Sequence, residues 1–413
     1  MESRTIKFIA VLAFMCLTAI NAAAQKFTVS GYVTDASSGE PLIGVAIIDK
    51  ATSLGTVTGN SGYYSISLEA GERTLLVSCL GYDEKAIRQT LTSNVTLNIS
   101  VKPTASELMG ATVTAHSTVS GARTTQMSAV EVPVSQIKTI PALGGEVDVI
   151  KALQLLPGVQ SGTEGTAGIY VRGGGADENL LMMDGVPLYN VNHLYGFFSV
   201  FNADALKNVT LYKGSFPARF GGHLSSVIDV RMNDGNEYEY HGSASIGLIS
   251  SKINFEGPIV KGKTTFNISA RRTYLDLVAK PVIASINKKH KYTNGDYEKL
   301  GGGYDFYDIN AKITHRFNNG DRLSLSIYDG DDRAKVVTDD VCSYEIMSVN
   351  PSTWELTPTG VKSYTRETSD LKWRWGNYVS AIRWNHEISP TVYVSSSASY
   401  TQYRSYLSVD MWD

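Results

Sequence analysis

From Glu237 onward the chain alternates in character, and that alternation limits its fold more than any other feature. Tyr238, Tyr240, Ala244, Ile246 and Leu248 oppose Glu239, His241, Ser243 and Ser245. Ile249, Ile253 and Phe255 oppose Lys252, Asn254 and Glu256, and Phe266, Ile268 and Ala270 oppose Asn267, Ser269 and Arg271. The pattern returns at Ile309 to Phe317, Leu323 to Ile327 and Val392 to Tyr400. Leu371 to Ile388 adds a seventh stretch whose phase slips near Gly376, as a β-bulge would make it. Successive strand side chains point to opposite faces, so each stretch predicts a ribbon with one apolar and one polar face. The connectors Gly257 to Gly262, Asn318 to Asp321 and Ser389-Pro390 are short, whereas Asp276 to Gly303 and Asp329 to Asp370 are long. Short turns at one end and long loops at the other predict the start of an antiparallel transmembrane β-barrel over 237–413. All five Trp and 15 of the 23 Tyr fall in these last 177 residues, where they suit the aromatic girdles of such a wall.

No run reaches the roughly 18 apolar residues of a helical span. Entry into a membrane therefore requires a closed barrel, since only helices and barrels satisfy every backbone group in lipid. The N-terminus reads as an export signal: Arg4 and Lys7 precede the apolar run Phe8 to Ile20, then Asn21-Ala22-Ala23-Ala24. A signal peptide is expected over 1–24, with cleavage leaving Gln25 first. With 37 Lys and Arg against 40 Asp and Glu, the net charge of −3 gives no basic stripe for nucleic acid. Cys16, Cys79 and Cys342 are too few and too scattered for a disulfide framework or a Cys-based zinc site. Cys79 is expected as a buried thiol in a core strand.

Residues 26–101 read as a small β-sandwich, with short strands punctuated by Ser37-Ser38-Gly39-Glu40-Pro41 and Gly59-Asn60-Ser61-Gly62. The run SGYVTD, SGEPLIGV, GTVTGNSGYYSI and LLVSCLGY resembles the carboxypeptidase-regulatory-like domain, a transthyretin-type sandwich. Residues 102–130, rich in Ser, Thr and Ala, form a linker carrying one short β-capable patch at Glu107 to Ala115. Residues 131–236 form an α+β domain. A helix is expected over Glu146 to Leu156, stopped by Pro157-Gly158, with strands at Ile169 to Val171, Leu180 to Met183, Val209 to Tyr212 and Val227 to Val230.

Four pieces of this domain, in order, carry a second resemblance: VIKALQLLPGVQS (149–161), YVRGGG (170–175), LLMMDGVPLYN (180–190) and NVTLYKGSFPARFGGHLSSVIDVRM (208–232). Together they resemble the plug domain of TonB-dependent outer-membrane receptors. The glycine triplet is no phosphate loop, since no Lys-Ser/Thr follows it. The resemblance implies plug–wall ion pairs, for which Arg172 and Arg219 are the expected plug cations. It implies TonB contact by β-strand addition to an extended segment. The best match is Ala111, Thr112, Val113, Thr114 and Ala115, which departs from the commoner acidic-plus-valine box. Tyr189, His193 and Tyr195 lie in an expected plug apex loop and are the ligand-contact candidates. Asp184 opens a turn and is expected to be structural.

The resemblance further implies a 22-stranded wall, so the roughly seven strands are expected to be an N-terminal portion that does not transport alone. The implied function is energy-coupled import of an iron chelate, vitamin, peptide or oligosaccharide. The partners would be the TonB–ExbB–ExbD system, outer-membrane lipids and the nutrient ligand. The sandwich and linker would lie in the periplasm. A surface lipoprotein partner is implied for receptors with such a sandwich, but the valine-rich box and GYG segment typical of that type are missing here. No catalytic residue, metal or cofactor is expected: the seven His are scattered and no HExxH stands in the sequence. The rival reading is a secreted or surface-exposed β-domain binding or adhesion protein, against which the four pieces at 149–232 count.

Overall fold

The computed structural model describes residues 25–104, 129–140, 145–162, 167–289, 297–317 and 320–412. The signal peptide expected over 1–24 and the TonB-contact candidates Ala111 to Ala115 lie outside the described residues. Two compact units are formed, one holding the N-terminal sandwich and the other holding the α+β domain and most of a seven-stranded sheet.

The sandwich comprises β1 (Lys26–Asp35), β2 (Ala46–Asp49), β3 (Gly55–Val57), β4 (Tyr63–Glu69), β5 (Gly71–Ser78), β6 (Lys85–Leu91), β7 (Val95–Thr96) and β8 (Ile99–Val101). One sheet pairs β1 with β4, β7 and β8, and the other runs β3–β2–β5–β6. Alternation builds the core directly: on β4, Tyr64, Ile66 and Leu68 are buried while Ser65, Ser67 and Glu69 face solvent. These rings and branches meet Val29, Val33, Ile47, Leu75 and Val77 from the facing strands. Cys79 falls one residue past β5 and is only half-buried, packed against the core rather than inside it and in no disulfide.

The α+β domain contains β9 (Ala129–Pro133), α1 (Val134–Ile137), α2 (Val149–Gln154), β10 (Val159–Gln160), β11 (Tyr170–Val171), β12 (Asn179–Met183), β13 (Val186–Pro187), β14 (Asn192–His193), β15 (Phe198–Ser199), β16 (Leu206–Tyr212) and β17 (Ser226–Met232). Its main sheet has the order β13–β12–β17–β16–β9, with β12 and β17 parallel. Parallel strands are covered on both faces, and every residue of β12 and β17 is buried. The helix expected over 146–156 is shorter because Asp148 caps it: its Oδ1 accepts from Ile150 N at 2.9 Å and Lys151 N at 3.1 Å. The linker boundary expected at 130 falls inside β9, which is already an edge strand of this sheet.

The remaining strands are β18 (His241–Ile246), β19 (Ser250–Val260), β20 (Thr264–Thr273), β21 (Tyr297–Arg316), β22 (Arg322–Val349), β23 (Leu356–Ser389) and β24 (Val392–Trp412), with helix α3 (Leu275–Lys289) after β20. They form a sheet in sequence order that is open at β18 and β24 among the described residues. Two expected long loops are otherwise. Residues 329–370 continue β22 and β23 as paired strands around a short turn, and 276–303 holds α3 and the start of β21. Periodicity missed the strand extensions because both of their faces are largely exposed there, so no apolar face marks them. For α3, the repeat Val278, Val282, Ile286 at spacing four was the available signal, obscured by Pro281.

Burial in this sheet is inverted. On β20, Thr265, Asn267, Ser269, Arg271 and Thr273 are buried, whereas Ile268 is 50 % exposed. On β21, Asp308, Asn310 and Lys312 are buried, whereas Ile309 and Ile313 are 45 % and 44 % exposed. Burying the polar face and exposing the apolar one is unfavourable in water and favourable in hydrocarbon. The outward face is thus a lipid face and the sheet is a membrane wall. Replacing Ile268 or Ile313 by Lys is expected to destabilise the bilayer-assembled protein by about 2–4 kcal/mol, the cost of a lipid-facing cation near mid-membrane. Denaturant unfolding in lipid vesicles measures it; a solvent-facing site would change by less than about 0.5 kcal/mol.

Candidate functional site

The buried polar face of the wall is covered by the α+β domain, and the seam between them is the most charged interior of the unit. A two-residue turn connects β12 to β13 through Asp184 (φ 48°) and Gly185 (φ 78°), both left-handed as a type I′ hairpin turn requires. The turn is tied to the wall twice. Lys312 Nζ lies 3.1 Å from Asp184 Oδ2, and Arg383 Nη2 donates to Asp184 O at 2.6 Å. An added Cβ on Gly185 would stand 2.6 Å from that guanidinium, so glycine is needed for the approach as well as for the turn. Lys312 also pairs with Asp234 at 2.8 Å. Burial raises the Asp234 carboxyl pKa, but Lys312, Lys207 and Arg322 together outweigh it and the group is held down at about 2.

A second set of contacts forms a chain of alternating charge. Asp332 Oδ2 lies 2.7 Å from His193 Nδ1, and His193 Nε2 lies 2.9 Å from Asp308 Oδ1. Arg271 reaches Asp308 at 2.6 Å and Glu146 at 3.7 Å. Lys252 continues to Glu146 at 3.7 Å and Asp204 at 3.5 Å, and Lys138 closes on Asp204 at 2.8 Å. Asp332, Asp308, Arg271 and Lys252 belong to the wall; His193, Glu146, Asp204 and Lys138 belong to the α+β domain. The His193 ring stacks on Phe306 at 3.9 Å between centroids, and Tyr304 and Tyr328 donate to Asp332 and Asp308. Burial pulls the imidazole pKa down, but the carboxylates of Asp308 and Asp332 outweigh it and hold it up at about 9.

His193, expected to meet ligand, is fully buried with both ring nitrogens engaged by wall carboxylates, so it belongs to the seam. Tyr189 and Tyr195 are 52 % and 62 % exposed. Asn377 Oδ1 on β23 accepts from Tyr189 N at 3.2 Å and so fixes the backbone beneath that ring. Arg172 and Arg219 are exposed. Arg219 donates to Tyr212 Oη at 3.3 Å and lies over Phe220, both in its own domain. The cations of the seam described above come chiefly from the wall and the carboxylates largely from the domain it encloses, the reverse of the expected polarity. The YVRGGG loop is held by Asn179, whose Nδ2 donates to Ile169 O at 2.8 Å and to Gly175 O at 3.0 Å. No spacing in the sequence announced the seam, since its partners lie up to 199 residues apart.

Residues 123–226 match the TonB-dependent receptor plug domain family, and residues 29–114 match the CarboxypepD_reg-like domain family. The chain carries the plug domain of the TonB-dependent receptors. Over 78 residues it is 37 % identical to TonB-dependent receptor SusC of Bacteroides thetaiotaomicron, covering 19 % of this chain and 8 % of that protein. Over 196 residues it is 27 % identical to TonB-dependent receptor P26 of Formosa agariphila, covering 45 % of this chain and 18 % of that protein. The matched stretches thus span less than a fifth of these relatives. Among solved structures, the ferric enterobactin receptor PfeA in complex with BCV-L6 aligns at 13 % identity and TM-score 0.34, covering 70 % of this chain and 56 % of that one. The Serratia marcescens hemophore receptor HasR, in complex with its hemophore HasA and heme, aligns at 14 % identity and TM-score 0.36, covering 69 % and 46 %. These relatives are receptors rather than enzymes, and TonB-dependent receptors are outer-membrane proteins.

His193→Leu removes the cation and leaves Asp308 and Asp332 facing each other inside the seam. The expected loss of plug docking is about 3–5 kcal/mol, as for other broken buried pairs. Hydrogen exchange of residues 190–200 measures it. The wild-type receptor carries a pH dependence of its own. A folded-state imidazole at about 9 against 6.5 unfolded contributes stability that is fully present below pH 6.5 and lost as pH rises through about 9. Asp234, at about 2 against 3.8, contributes above pH 3.8 and is lost as pH falls through about 2. Exchange protection of the plug, corrected for intrinsic rates, is expected to be greatest between pH 3.8 and 6.5 on account of these two groups.

Proposed function

We propose that the protein imports a scarce nutrient across the outer membrane, with the α+β domain as a plug that TonB displaces. The observation that carries this reading is the inverted wall with a separate domain seated on its polar face. Transport through such a wall needs no nucleotide site, because work enters as a pull transmitted from the inner-membrane proton gradient by the TonB–ExbB–ExbD system. The sandwich and the linker are assigned to the periplasm. The TonB contact is assigned to Ala111, Thr112, Val113, Thr114 and Ala115, pairing as an added strand. Continuity supports this: the linker enters the plug through β9, an edge strand held to one neighbour only, so a pull from that side reaches the sheet at its most detachable element. Tyr189 and Tyr195 are assigned to the ligand side, and the ligand is an iron chelate, vitamin, peptide or oligosaccharide.

Val113→Pro is the direct test of coupling, since proline removes the strand N–H and fixes φ. Binding of the purified TonB periplasmic domain is expected to weaken at least about tenfold, with outer-membrane fractionation unchanged. Recovery of the wild-type protein in the soluble fraction without detergent contradicts the reading outright.

A further inference from the structure

Above the seam, the plug and the wall bring four aromatic rings together. Tyr195 lies 5.6 Å from Trp373, 5.5 Å from Trp375 and 6.5 Å from Tyr304 between ring centroids. Trp373 and Trp375 are 4.6 Å apart, and Trp375 is 6.2 Å from Tyr304. Tyr195 is 62 % exposed although its backbone is left-handed (φ 53°), as is that of Leu194 before it (φ 47°). A bulky residue held at positive φ is costly, so the loop accepts strain while presenting a ring to solvent. Below, Tyr304 is fixed through its hydroxyl, which donates to Asp332 and accepts from Leu194 N at 2.5 Å. Tyr195 is therefore open from above, with Trp373 partly exposed beside it, and the buried Trp375 and the fixed Tyr304 back them from beneath.

Their spacing decides between two uses of aromatic groups. A cage for a cation encloses a void, whereas here Trp373 and Trp375 touch each other and Tyr195 stands in tilted contact with both. The arrangement is a platform for a flat ligand face. The surrounding charge then selects the ligand. Beyond Tyr304 and Trp373 the inward positions continue as Gly302 and Leu300 on β21, Ala334 and Val336 on β22, and Leu371 on β23. None is basic, and plug residues 186–200 contain no Lys or Arg. The wall cations Lys252, Arg271 and Lys312 are buried in ion pairs of the seam. Among the described residues, an anionic ring system such as a catecholate chelate would meet no counter-charge at these positions.

We propose that Tyr195 and Trp373, backed by the buried Trp375 and by Tyr304, form a stacking platform for an uncharged saccharide ring. This rests on the import reading above and specifies its ligand; the test reads binding alone, without TonB. Tryptophan emission of the detergent-purified protein is titrated with neutral hexasaccharides of glucose, xylose and mannose, and separately with a ferric tris-catecholate. A saccharide-dependent change is expected with at least one hexasaccharide. It should weaken about three- to tenfold in Tyr195→Asn, which removes the ring while tolerating the left-handed backbone. Trp384→Phe, on the outward face, should leave it unchanged. Tyr195 is exposed, so its loss does not threaten folding; Trp373→Ala gives an independent second ring. The proposal is overturned if no hexasaccharide changes the emission at millimolar concentration, or if Tyr195→Asn leaves saccharide affinity intact. It is equally overturned if the catecholate binds and Tyr195→Asn weakens that binding. Membrane fractionation and TonB binding would stand in each of these cases, separating this failure from that of the import reading.

Discussion

Everything in the larger unit follows from the rule that a strand in hydrocarbon must meet its backbone needs through its neighbours and show lipid only apolar side chains. Alternation then forces every second residue inward, and on β20 and β21 most of those residues are Asn, Ser, Thr, Lys, Arg and Asp, joined by a few such as Phe306 and, on β23, Val379 and Ala381 that pack on the plug. A wall so built cannot fill its own interior with hydrophobic packing. It needs either water or a domain whose surface is polar in the right places. The plug is that domain. Its own core is conventional, Val149, Ile150 and Leu153 of α2 closing on the buried sheet, while Asp184, His193 and Asp204 are spent on the wall.

The seam has a consequence for mechanics. Asp332, His193, Asp308, Arg271, Glu146, Lys252, Asp204 and Lys138 alternate in sign when the imidazole is protonated, so the chain is neutral as a whole. Each internal member has two neighbours of opposite sign, and removing one uncovers two. Buried pairs of this kind add little net stability over an apolar interface but are severely disrupted when broken singly. The plug is thereby held in one register, and its release is favoured only if water enters as the groups part. An anchor made of hydrophobic contacts alone would resist in proportion to area and would not define a register.

How much of this the sequence disclosed depends on how local the signal is. The alternation of β19, β20 and β24 is a two-residue property and was legible, as were the sandwich strands and the Asp184-Gly185 turn. The far ends of β22 and β23 were not, because a strand exposed on both faces has no hydrophobic period even though its backbone pairs. α3 was hidden by Pro281 in its interior. His193 illustrates the deeper limit. In sequence it is a polar residue flanked by Asn192 and Leu194 in a loop-like stretch, and ligand contact is a fair reading of that. Its true neighbours, Asp308 and Asp332, are set by the pairing of β21 with β22, in which Phe306 stands opposite Asp332 and Asp308 opposite Gly330. Only strand register brings those carboxylates to one level, and register is not written in any single segment.

The central claim is that the apolar face of the wall meets lipid and the polar face meets the plug. Two tryptophans on the same strand report the two sides: Trp384 is 44 % exposed on the outward face, and Trp375 is 3 % exposed against the plug. Single-tryptophan variants retaining one or the other, reconstituted in vesicles containing brominated lipid, separate the alternatives directly. The account predicts strong quenching of Trp384 and little of Trp375. Equal quenching of both, or a Trp384 quenched by aqueous iodide and untouched by brominated chains, would contradict it.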